Sequence, residues 1–465
     1  MQEGLHKIIS GEETIVAIST PLGRSGVGVV RMSGREAVAI AQQFFESHSP
    51  NYHLEHRMAT VGTWMNEAAE KIDEVVVTVF RAPQSYTSED VVEISGHGNP
   101  LILARIVENA RSAGARIAAP GEFTMRAVAH GKMDLIQAEA VREFIEAQTE
   151  QQAKTALRQM GGSVSKRIRP IQEKLLDVIA RLEAGIDFAE DDVDVPDNTA
   201  IVEMIQPLFR ALDDLEATFQ YGKLLVGGFR LAILGKPNVG KSSLFNRLVS
   251  ADRAIVTDIP GTTRDVLTET VSMDGVPLRF ADTAGVRQTS DRIESIGVVR
   301  TLETLSDADL ALVVLDGSAA LDLDDREVLA KAGAIPHIVV INKSDLTQAL
   351  DPASLDGSSS VKRVHVSAKT GNGLAALREA IRGFLHERKA DLTDDLVLTN
   401  ARQHEAIVKA ISDLQAASAA LLRNVPHEMA LLDLYQALTA LNELTGDVVT
   451  DDILDRIFST FCIGK

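Results

Sequence analysis

The chain has little of several residue types, and each shortage excludes a class of protein. Its one cysteine, Cys462, cannot form an intramolecular disulfide, and residues 1–10 lack the basic flank and apolar run of a signal peptide, so we expect a cytoplasmic protein. No stretch reaches the roughly 20 apolar residues that span a bilayer, so we expect no membrane partner. The 47 basic and 66 acidic side chains give a net charge of −19, which argues against a protein held to nucleic acid by a pervasive positive field.

The length and the average composition indicate ordinary folded protein with several domains. At about 150 residues per domain, the 465 residues suggest about three domains. Apolar side chains make up 45% of the chain and charged side chains 24%, values typical of globular proteins and not of disordered or fibrous ones. We therefore expect the function to be distributed over domains with different folds.

Hydrophobic periodicity divides the chain into four segments. Residues 1–122 mix short β-branched runs, such as a predicted strand at Val91–Ser95, with a helical pattern at Pro100–Ser112, and they predict an α+β domain. Residues 123–226 and 387–465 are rich in alanine and leucine at a period near 3.6, which predicts helices, with a break near Gly161. Residues 227–386 alternate strand and helix signals, with a first predicted strand at Phe229–Leu234, and predict a mostly parallel, doubly wound sheet. The expected fold class is multidomain α/β and α+β, with the α/β block inserted into one discontinuous helical domain.

The segment from Gly235 to Ser242 has the pattern of a phosphate-binding loop. It reads GKPNVGKS and stands between a predicted strand and a predicted helix, which is the context that such a loop requires. Its glycines let backbone N–H groups face the phosphates, Lys241 can meet the β- and γ-phosphates, and the Ser242 hydroxyl can bind Mg²⁺. An ordinary strand-to-helix turn is the alternative. The residues expected to line the loop are Asn238, Val239, Gly240, Lys241, Ser242 and Ser243.

Four further motifs follow this loop. They are Gly261-Thr262-Thr263-Arg264-Asp265, Asp282-Thr283-Ala284-Gly285, Asn342-Lys343-Ser344-Asp345 and Ser367-Ala368-Lys369. Thr263 can add a hydroxyl to the Mg²⁺ ion, which Asp282 can reach through water. Asp345 can accept from N1–H and the exocyclic amine of guanine, a pair of donors that adenine lacks. The five elements together resemble a Ras-like GTPase domain and predict GTP binding, with the last motif closing over the base.

The residue that positions the attacking water is not where many GTPases have it. Those proteins carry a glutamine directly after the DTAG-like motif, whereas this chain has Val286, which has no hydrogen-bonding group. Asn238 has an amide oxygen that could help to bind a monovalent cation such as potassium near the developing charge. Alternatively, Asn238 only stabilises the turn of the loop, and the residues alone leave both interpretations open.

Three motifs outside the GTPase block narrow the identification. The runs Thr20 to Gly28, Tyr86 to Gly98 and Phe461 to Lys465 make the whole chain resemble the MnmE (TrmE) family of tRNA uridine-modification GTPases. The resemblance implies a homodimeric, potassium-stimulated GTPase whose N-terminal domain binds a 5-formyl or 5,10-methylene tetrahydrofolate. It also implies a partner, an FAD protein of the MnmG (GidA) family in a heterotetramer or larger complex, and tRNA modified at carbon 5 of the wobble uridine with a carboxymethylaminomethyl or aminomethyl group.

The resemblance also implies roles for single residues. The folate-contacting positions are Arg24, Glu93, Lys132 and Lys465; the potassium ligands are Asn238, Thr257, Ile259 and Thr262; the Mg²⁺ ligands are Ser242 and Thr263. Asp258, Pro260 and Gly261 complete the GTP-binding loop. Glu294 takes the water-orienting position, with Arg287 as a supporting charge. For each of these charged residues, a solvated surface side chain is the alternative.

Several interpretations stay open on the sequence alone. Cys462 is either a nucleophile or a small packed apolar side chain. A GTPase switch in ribosome assembly would use the same GTPase block without one-carbon chemistry, and a folate enzyme with a degenerate GTPase block is a further alternative. Direct contact with RNA would have to use local basic patches such as Lys166 to Arg169.

Overall fold

The structure is a computed structural model, and it describes nine parts of the chain. These are residues 13–49, 53–187, 197–251, 270–280, 308–351, 355, 361–387, 397–448 and 450–465. Within these ranges, no helix is both long and apolar enough to cross a membrane.

The N-terminal part is a seven-stranded sheet with two helices packed on it. Its strands are β1 (Ile15–Ile18), β2 (Ser25–Ser33), β3 (Phe45–Ser47), β4 (Ala59–Met65), β5 (Lys71–Phe80), β6 (Val91–Gly98) and β7 (Arg116–Ile117), and its helices are α1 (Ala37–Phe44) and α2 (Pro100–Ser112). The strand order is β3-β4-β5-β6-β2-β1-β7. Along β5, Val75, Val77 and Val79 are buried and alternate with half-exposed neighbours, as expected for a strand with one face on a core. This agrees with the predicted α+β fold.

The described residues between the first sheet and the α/β block form six helices. They are α3 (Glu122–Ala129), α4 (Leu135–Glu146), α5 (Glu150–Met160), α6 (Ser165–Asp187), α7 (Asn198–Glu216) and α8 (Phe219–Gly227). The predicted break near Gly161 is confirmed, because it separates α5 from α6. A second break, between α4 and α5, was not predicted. It is fixed by a capping box in which the Thr149 side chain accepts from the Gln152 backbone and the Gln152 side chain accepts from the Thr149 backbone.

The α/β block contains a six-stranded sheet of order β13-β12-β11-β8-β10-β9. Its elements are β8 (Phe229–Leu234), α9 (Lys241–Ala251), β9 (Thr270–Met273), β10 (Val276–Phe280), β11 (Leu310–Asp316), α10 (Leu323–Ala332), β12 (His337–Asn342), β13 (Arg363–His365) and α11 (Leu374–Glu387). All neighbouring strands are parallel except β9 and β10, which form a hairpin. The central strand β11 is buried on both faces, which explains its continuous apolar sequence. The predicted doubly wound sheet is confirmed.

The described residues from 397 onward form three helices, which pack against the earlier ones. They are α12 (Ala401–Leu422), α13 (His427–Thr445) and α14 (Asp451–Phe458). One apolar core joins residues from α6 and α7 to residues from α12 and α13; Leu175, Leu212, Leu414 and Leu434 are among its fully or almost fully buried members. The two helical arms therefore form one domain, and the α/β block is inserted into it as the sequence predicted.

Candidate functional site

The phosphate-binding loop joins the end of β8 to the start of α9. Gly235 and Gly240 have φ values of +148° and +98°, and Asn238 lies in the left-handed region at +63°. A Cβ atom at Gly240 would lie 2.2 Å from the Asn342 Nδ2 atom, so the close approach of these two segments requires glycine. The loop thus has the tight curvature that allows consecutive N–H groups to face an anion.

Lys241 lies across this loop. Its ammonium group donates hydrogen bonds to the carbonyl oxygens of Gly235 at 2.7 Å and Lys236 at 2.8 Å. The charge is therefore held at the loop, where an entering phosphate can compete for it. Ser242 lies in the first turn of α9, where the helix dipole also favours an anion. The glycine cradle, the lysine and the serine hydroxyl fit a phosphate with its Mg²⁺ ion.

Asn342 connects three of the predicted motifs. It is almost fully buried, its Nδ2 donates to the Val239 carbonyl oxygen at 2.7 Å, and its Oδ1 accepts from the Ala368 N–H at 3.0 Å. One side chain thus ties the phosphate-binding loop and the last motif to the end of β12. The structure brings these three motifs to the same edge of the sheet, which is consistent with the prediction that they belong to one nucleotide site.

The carboxylate predicted to read the base is oriented by the last motif. The Ser367 hydroxyl donates to Asp345 Oδ1 at 2.6 Å, and this bond lowers the pKa of Asp345 below its ordinary value. Asp345 is exposed and ionised at neutral pH, so it remains an acceptor for guanine N–H groups. Lys343, also part of this motif, forms a 2.6 Å ion pair with Asp316.

Arg247 was missed by the sequence analysis. It lies on α9 and donates to the carbonyl oxygens of Ala368 at 3.2 Å and Lys369 at 2.8 Å, so it supports the segment expected to cover the base. An arginine one and a half turns after the phosphate-binding loop carries no motif of its own, and only the packing of α9 against this segment shows its role.

A large part of the predicted GTP site lies outside the described residues. These residues are Thr257, Asp258, Ile259, Pro260, Gly261, Thr262, Thr263, Asp282, Thr283, Ala284, Gly285, Arg287 and Glu294. Their assignments, including the potassium ligands other than Asn238 and the water-orienting glutamate, stay predictions.

A second cluster of polar groups lies on the N-terminal sheet. Arg31 on β2 faces Glu93 on β6 and donates to its carboxylate from Nε at 3.0 Å and from Nη2 at 2.7 Å. The guanidinium lies over the rings of Tyr86 and Phe123, with its carbon 5.4 Å and 5.7 Å from their centres. Arg31 was not predicted to belong to the site, because a single arginine in a strand has no sequence signature.

The C-terminal tail reaches the same cluster. The Ser19 hydroxyl donates to the Gly464 carbonyl oxygen at 3.1 Å, and Ile463 pairs with Pro120 in an isolated antiparallel bridge. Gly464 has a φ of +95°, and a Cβ atom there would lie 2.3 Å from the Ile18 carbonyl oxygen. The tail can therefore lie this close to β1 only with glycine at that position.

The predicted folate residues are brought together only in part. Lys465 is half-buried near Glu93, and burial together with the positive charge of Arg31 lowers its pKa, although Glu93 opposes this shift. Arg24 and Lys132 are exposed. Arg24 directly precedes β2 and lies seven positions before Arg31, the residue that pairs with Glu93, so at roughly 3.3 Å per residue their backbones are at most about 23 Å apart.

Cys462 adjoins the cluster and is exposed. It is therefore not the packed apolar side chain that the sequence allowed as one alternative. A nucleophilic role for its thiol stays a prediction.

Comparisons with known proteins agree with the resemblance of the sequence. The family model described as the MnmE helical domain matches residues 135–462, and the model of the GTP-binding protein TrmE N-terminus matches residues 14–132. The chain is 48% identical over 456 residues to the tRNA modification GTPase MnmE of Koribacter versatilis (strain Ellin345), covering 98% of this chain and 99% of that protein. It is 43% identical over 455 residues to the tRNA modification GTPase MnmE of Aquifex aeolicus (strain VF5), covering 97% and 100% of the two chains.

Among solved structures, the G domain of the T. maritima FeoB iron transporter is similar to 35% of this chain and 99% of its own. The identity is 24% and the TM-score is 0.25.

Proposed function

Given that the chain belongs to the MnmE family of tRNA modification GTPases, we propose that its GTP hydrolysis depends on potassium and serves a folate-dependent modification of the wobble uridine. The observation that carries the nucleotide part is the bridge made by Asn342, which joins the phosphate-binding loop to the base-binding motifs. The observation that carries the folate part is the cluster of Arg31, Glu93 and the C-terminal tail.

The described residues would have separate roles in binding GTP. The N–H groups of the phosphate-binding loop and Lys241 would bind the phosphates, while Asp345, held by Ser367, would select guanine. Ser242 would bind Mg²⁺, together with Thr263. A potassium ion at Asn238 would supply positive charge to the transferring phosphoryl group, as an arginine finger does in other GTPases.

The remaining roles in hydrolysis rest on the resemblance. Thr257, Ile259 and Thr262 would complete the potassium site, and Glu294 would orient the attacking water with Arg287 nearby. This division of roles is consistent with Val286, which has no group that could hold the water.

The N-terminal cluster suits the two ends of a tetrahydrofolate. Glu93 is a half-buried carboxylate that can accept from the N–H groups of a pterin ring, and the Arg31 guanidinium that holds it lies over the Tyr86 ring. Arg24, directly before β2, and Lys132 are exposed cations that can meet the glutamate carboxylates of the ligand. An elongated ligand, or two protomers of a homodimer that each contribute one end, would use all four predicted residues.

We further propose how the protein works with its partners. It would act in the cytoplasm as a homodimer with an FAD protein of the MnmG (GidA) family, in a heterotetramer or larger complex. Lys166, Arg167 and Arg169 are exposed at the start of α6 and offer the local positive charge that tRNA needs on a chain with a net charge of −19. The functional units would be the predicted domains at residues 1–122, 123–226, 227–386 and 387–465.

Calorimetric titration with 5-formyltetrahydrofolate tests the one-carbon part. We expect saturable binding by the wild type, loss of binding in Arg24→Ala and Glu93→Gln, and unchanged binding in Arg111→Ala. The last variant is the matched control, because Arg111 is an exposed arginine of the same domain that forms an ion pair with Glu108 in the adjoining helical turn. A folded wild type that does not bind would leave the ribosome-assembly GTPase as the better interpretation.

Replacement of potassium by sodium tests whether GTP hydrolysis depends on potassium. We expect the turnover of GTP to collapse while the affinity for a fluorescent GDP analogue is unchanged, because the proposed ion stabilises charge that develops only during hydrolysis. Equal turnover in the two salts would contradict a role for potassium.

A further inference from the structure

Helix α5 contacts a hairpin of the α/β block and the two chain segments that lead into and out of this block. The helix has 11 residues and is therefore about 16 Å long. Its first end touches the hairpin of β9 and β10 and the entry of the chain into the α/β block, and its second end touches the exit. None of these contacts is part of the nucleotide site or of the folate cluster.

The first end of α5 is tied to the tip of the hairpin. The hydroxyl of its N-cap residue, Thr149, donates to the Gly275 carbonyl oxygen at 2.6 Å, and Gly275 lies in the turn between β9 and β10. Along the chain, this hairpin lies between the motifs at residues 261–265 and 282–285, which are expected to contact the nucleotide. The Thr149 bond thus fixes the part of the α/β block that connects these two motifs.

The same end of α5 also holds the entry segment. Gln152 is buried, and its Nε2 donates to the Leu225 carbonyl oxygen at 2.8 Å. Leu225 lies near the end of α8, directly before β8, the strand that leads into the phosphate-binding loop. The Gln152 Oε1 atom accepts from the Thr149 N–H at 2.9 Å, so the two tethers share one capping box.

The second end of α5 holds the exit segment. Gln159 is almost fully buried and donates to the Val397 carbonyl oxygen at 2.7 Å and to the Thr399 hydroxyl at 3.1 Å. The Thr399 hydroxyl donates in turn to the Glu143 carboxylate at 2.8 Å, on helix α4. Buried amide and hydroxyl groups of this kind fix the relative positions of the segments that they join, because a shift of one segment would leave a buried polar atom without a hydrogen-bond partner.

Helix α4 continues the path to the C-terminal tail. Leu135 and Ala138, at its first end, pack in one buried cluster with Ile457, Phe458 and Phe461. Phe461 directly precedes the tail whose Gly464 carbonyl oxygen accepts from Ser19. A continuous set of buried and half-buried contacts therefore runs from the β9–β10 hairpin through α5 and α4 to the Arg31 cluster.

We propose that helix α5 is the element that couples the nucleotide state of the GTPase domain to the helical domain and the tail, with Thr149, Gln152 and Gln159 as positioning residues. The inference rests on the proposed function, because it assigns a route to the coupling that this function requires. A rigid helix held at both ends converts a movement of the hairpin against β8 into a movement of the exit segment and of α4. The test is whether removal of these hydrogen bonds changes how distant segments respond to nucleotide binding, and not only the free energy of unfolding.

The chain allows a variant that removes the tethers and keeps the helix cap. In the double variant Thr149→Asp, Gln152→Glu, the new side chains still form a capping box, because aspartate and glutamate are good residues at these two positions. Neither carboxylate can donate to the carbonyl oxygens of Gly275 and Leu225. Thr149→Ser is the matched control, since it keeps both the cap and the donor.

The response of each segment to nucleotide binding is measured by amide hydrogen exchange with and without a non-hydrolysable GTP analogue. For the wild type and Thr149→Ser, we expect a nucleotide-dependent difference within residues 229–251 and also within residues 135–146 and 397–403. In the double variant, we expect the first difference to remain and the others to fall at least about fivefold, the lower end of ordinary coupling factors. Intrinsic GTP hydrolysis should be unchanged, because the altered residues do not touch the nucleotide site.

Other results would overturn the inference. If the double variant keeps the distant differences, or if the wild type hydrolyses GTP without showing them, α5 does not couple the domains. A wild type without GTP hydrolysis would contradict the proposed function itself, and the inference with it. If the double variant does not fold, Gln159→Met tests the exit tether by the same readout, with the same expected loss at residues 135–146.

Discussion

Replacement of Glu143 by glutamine should stabilise the protein, and the gain should grow with pH. Glu143 is buried on α4, and its carboxylate accepts a hydrogen bond from the Thr399 hydroxyl at 2.8 Å. Burial raises the pKa of Glu143 from 4.5 to about 7; the bond from Thr399 opposes this shift, and the neighbouring carboxylate of Glu139 adds to it. The folded protein therefore binds this proton more tightly than the unfolded chain does.

The sign and the size of the effect follow from that difference in pKa. The stabilising contribution of the protonated carboxyl is complete below the unfolded pKa of 4.5, and it is lost as the pH rises through the folded pKa of about 7. At 1.36 kcal/mol per pKa unit, the buried charge of Glu143 costs about 3 kcal/mol at about pH 8 and about 1 kcal/mol at about pH 5. Glutamine keeps an acceptor for the Thr399 hydroxyl and cannot ionise.

Urea unfolding followed by far-ultraviolet circular dichroism, repeated between about pH 5 and pH 8, measures this difference. The Glu143→Gln variant should gain about 3 kcal/mol over the wild type at the upper end and about 1 kcal/mol at the lower end. Glu146→Gln is the control, because Glu146 lies on the same helix with an exposed side chain and should show no such trend. A difference between Glu143→Gln and the wild type that stays constant over this pH range would refute the assignment of a raised pKa.

Three further substitutions test the fold and the nucleotide site. In Gly222→Ala, the new Cβ would lie 1.8 Å from the Leu398 carbonyl oxygen, so the free energy of unfolding should fall by at least about 2 kcal/mol, whereas Gly227→Ala in the same helix meets open space and should be tolerated. Arg126→Met should lower the free energy of unfolding by about 3 kcal/mol, because it removes the buried cation that pairs with Glu89 and Glu122, although Glu122 keeps its ion pair with Arg116. Asp345→Asn should weaken GTP binding in competition with ATP, and an unchanged preference for GTP would contradict the base-reading role.

The sequence predicted the bounds of strands and helices best where these bounds depend on residues that are neighbours in the chain. Strand β8 and helix α2 have the predicted bounds, Phe229–Leu234 and Pro100–Ser112, because each combines an apolar period with clear end signals. Strand β6 extends beyond the predicted Val91–Ser95 to Gly98, because β2 pairs with it up to Ser25. Pairing of this kind adds residues to a strand that local propensity does not assign to it.

The residues that the sequence analysis missed all act over a long distance in the chain. Arg31 is paired with Glu93, 62 positions away, and Arg247 holds Lys369, 122 positions away. The break at Thr149 is different, because the threonine and the glutamine three residues later form a readable capping box. That signal was available in the sequence and was not used.

The nucleotide chemistry was determined by the sequence itself. Each nucleotide motif is a contiguous run, and the phosphate-binding loop and the runs at 342–345 and 367–369 each come at the end of a strand, so the runs and their order were enough to predict a nucleotide site. The cluster at Arg31 was decided by the tertiary structure alone. It needs the register of β2 against β6 and the return of Gly464 across 433 positions, and both depend on the packing of whole domains, which no local pattern encodes.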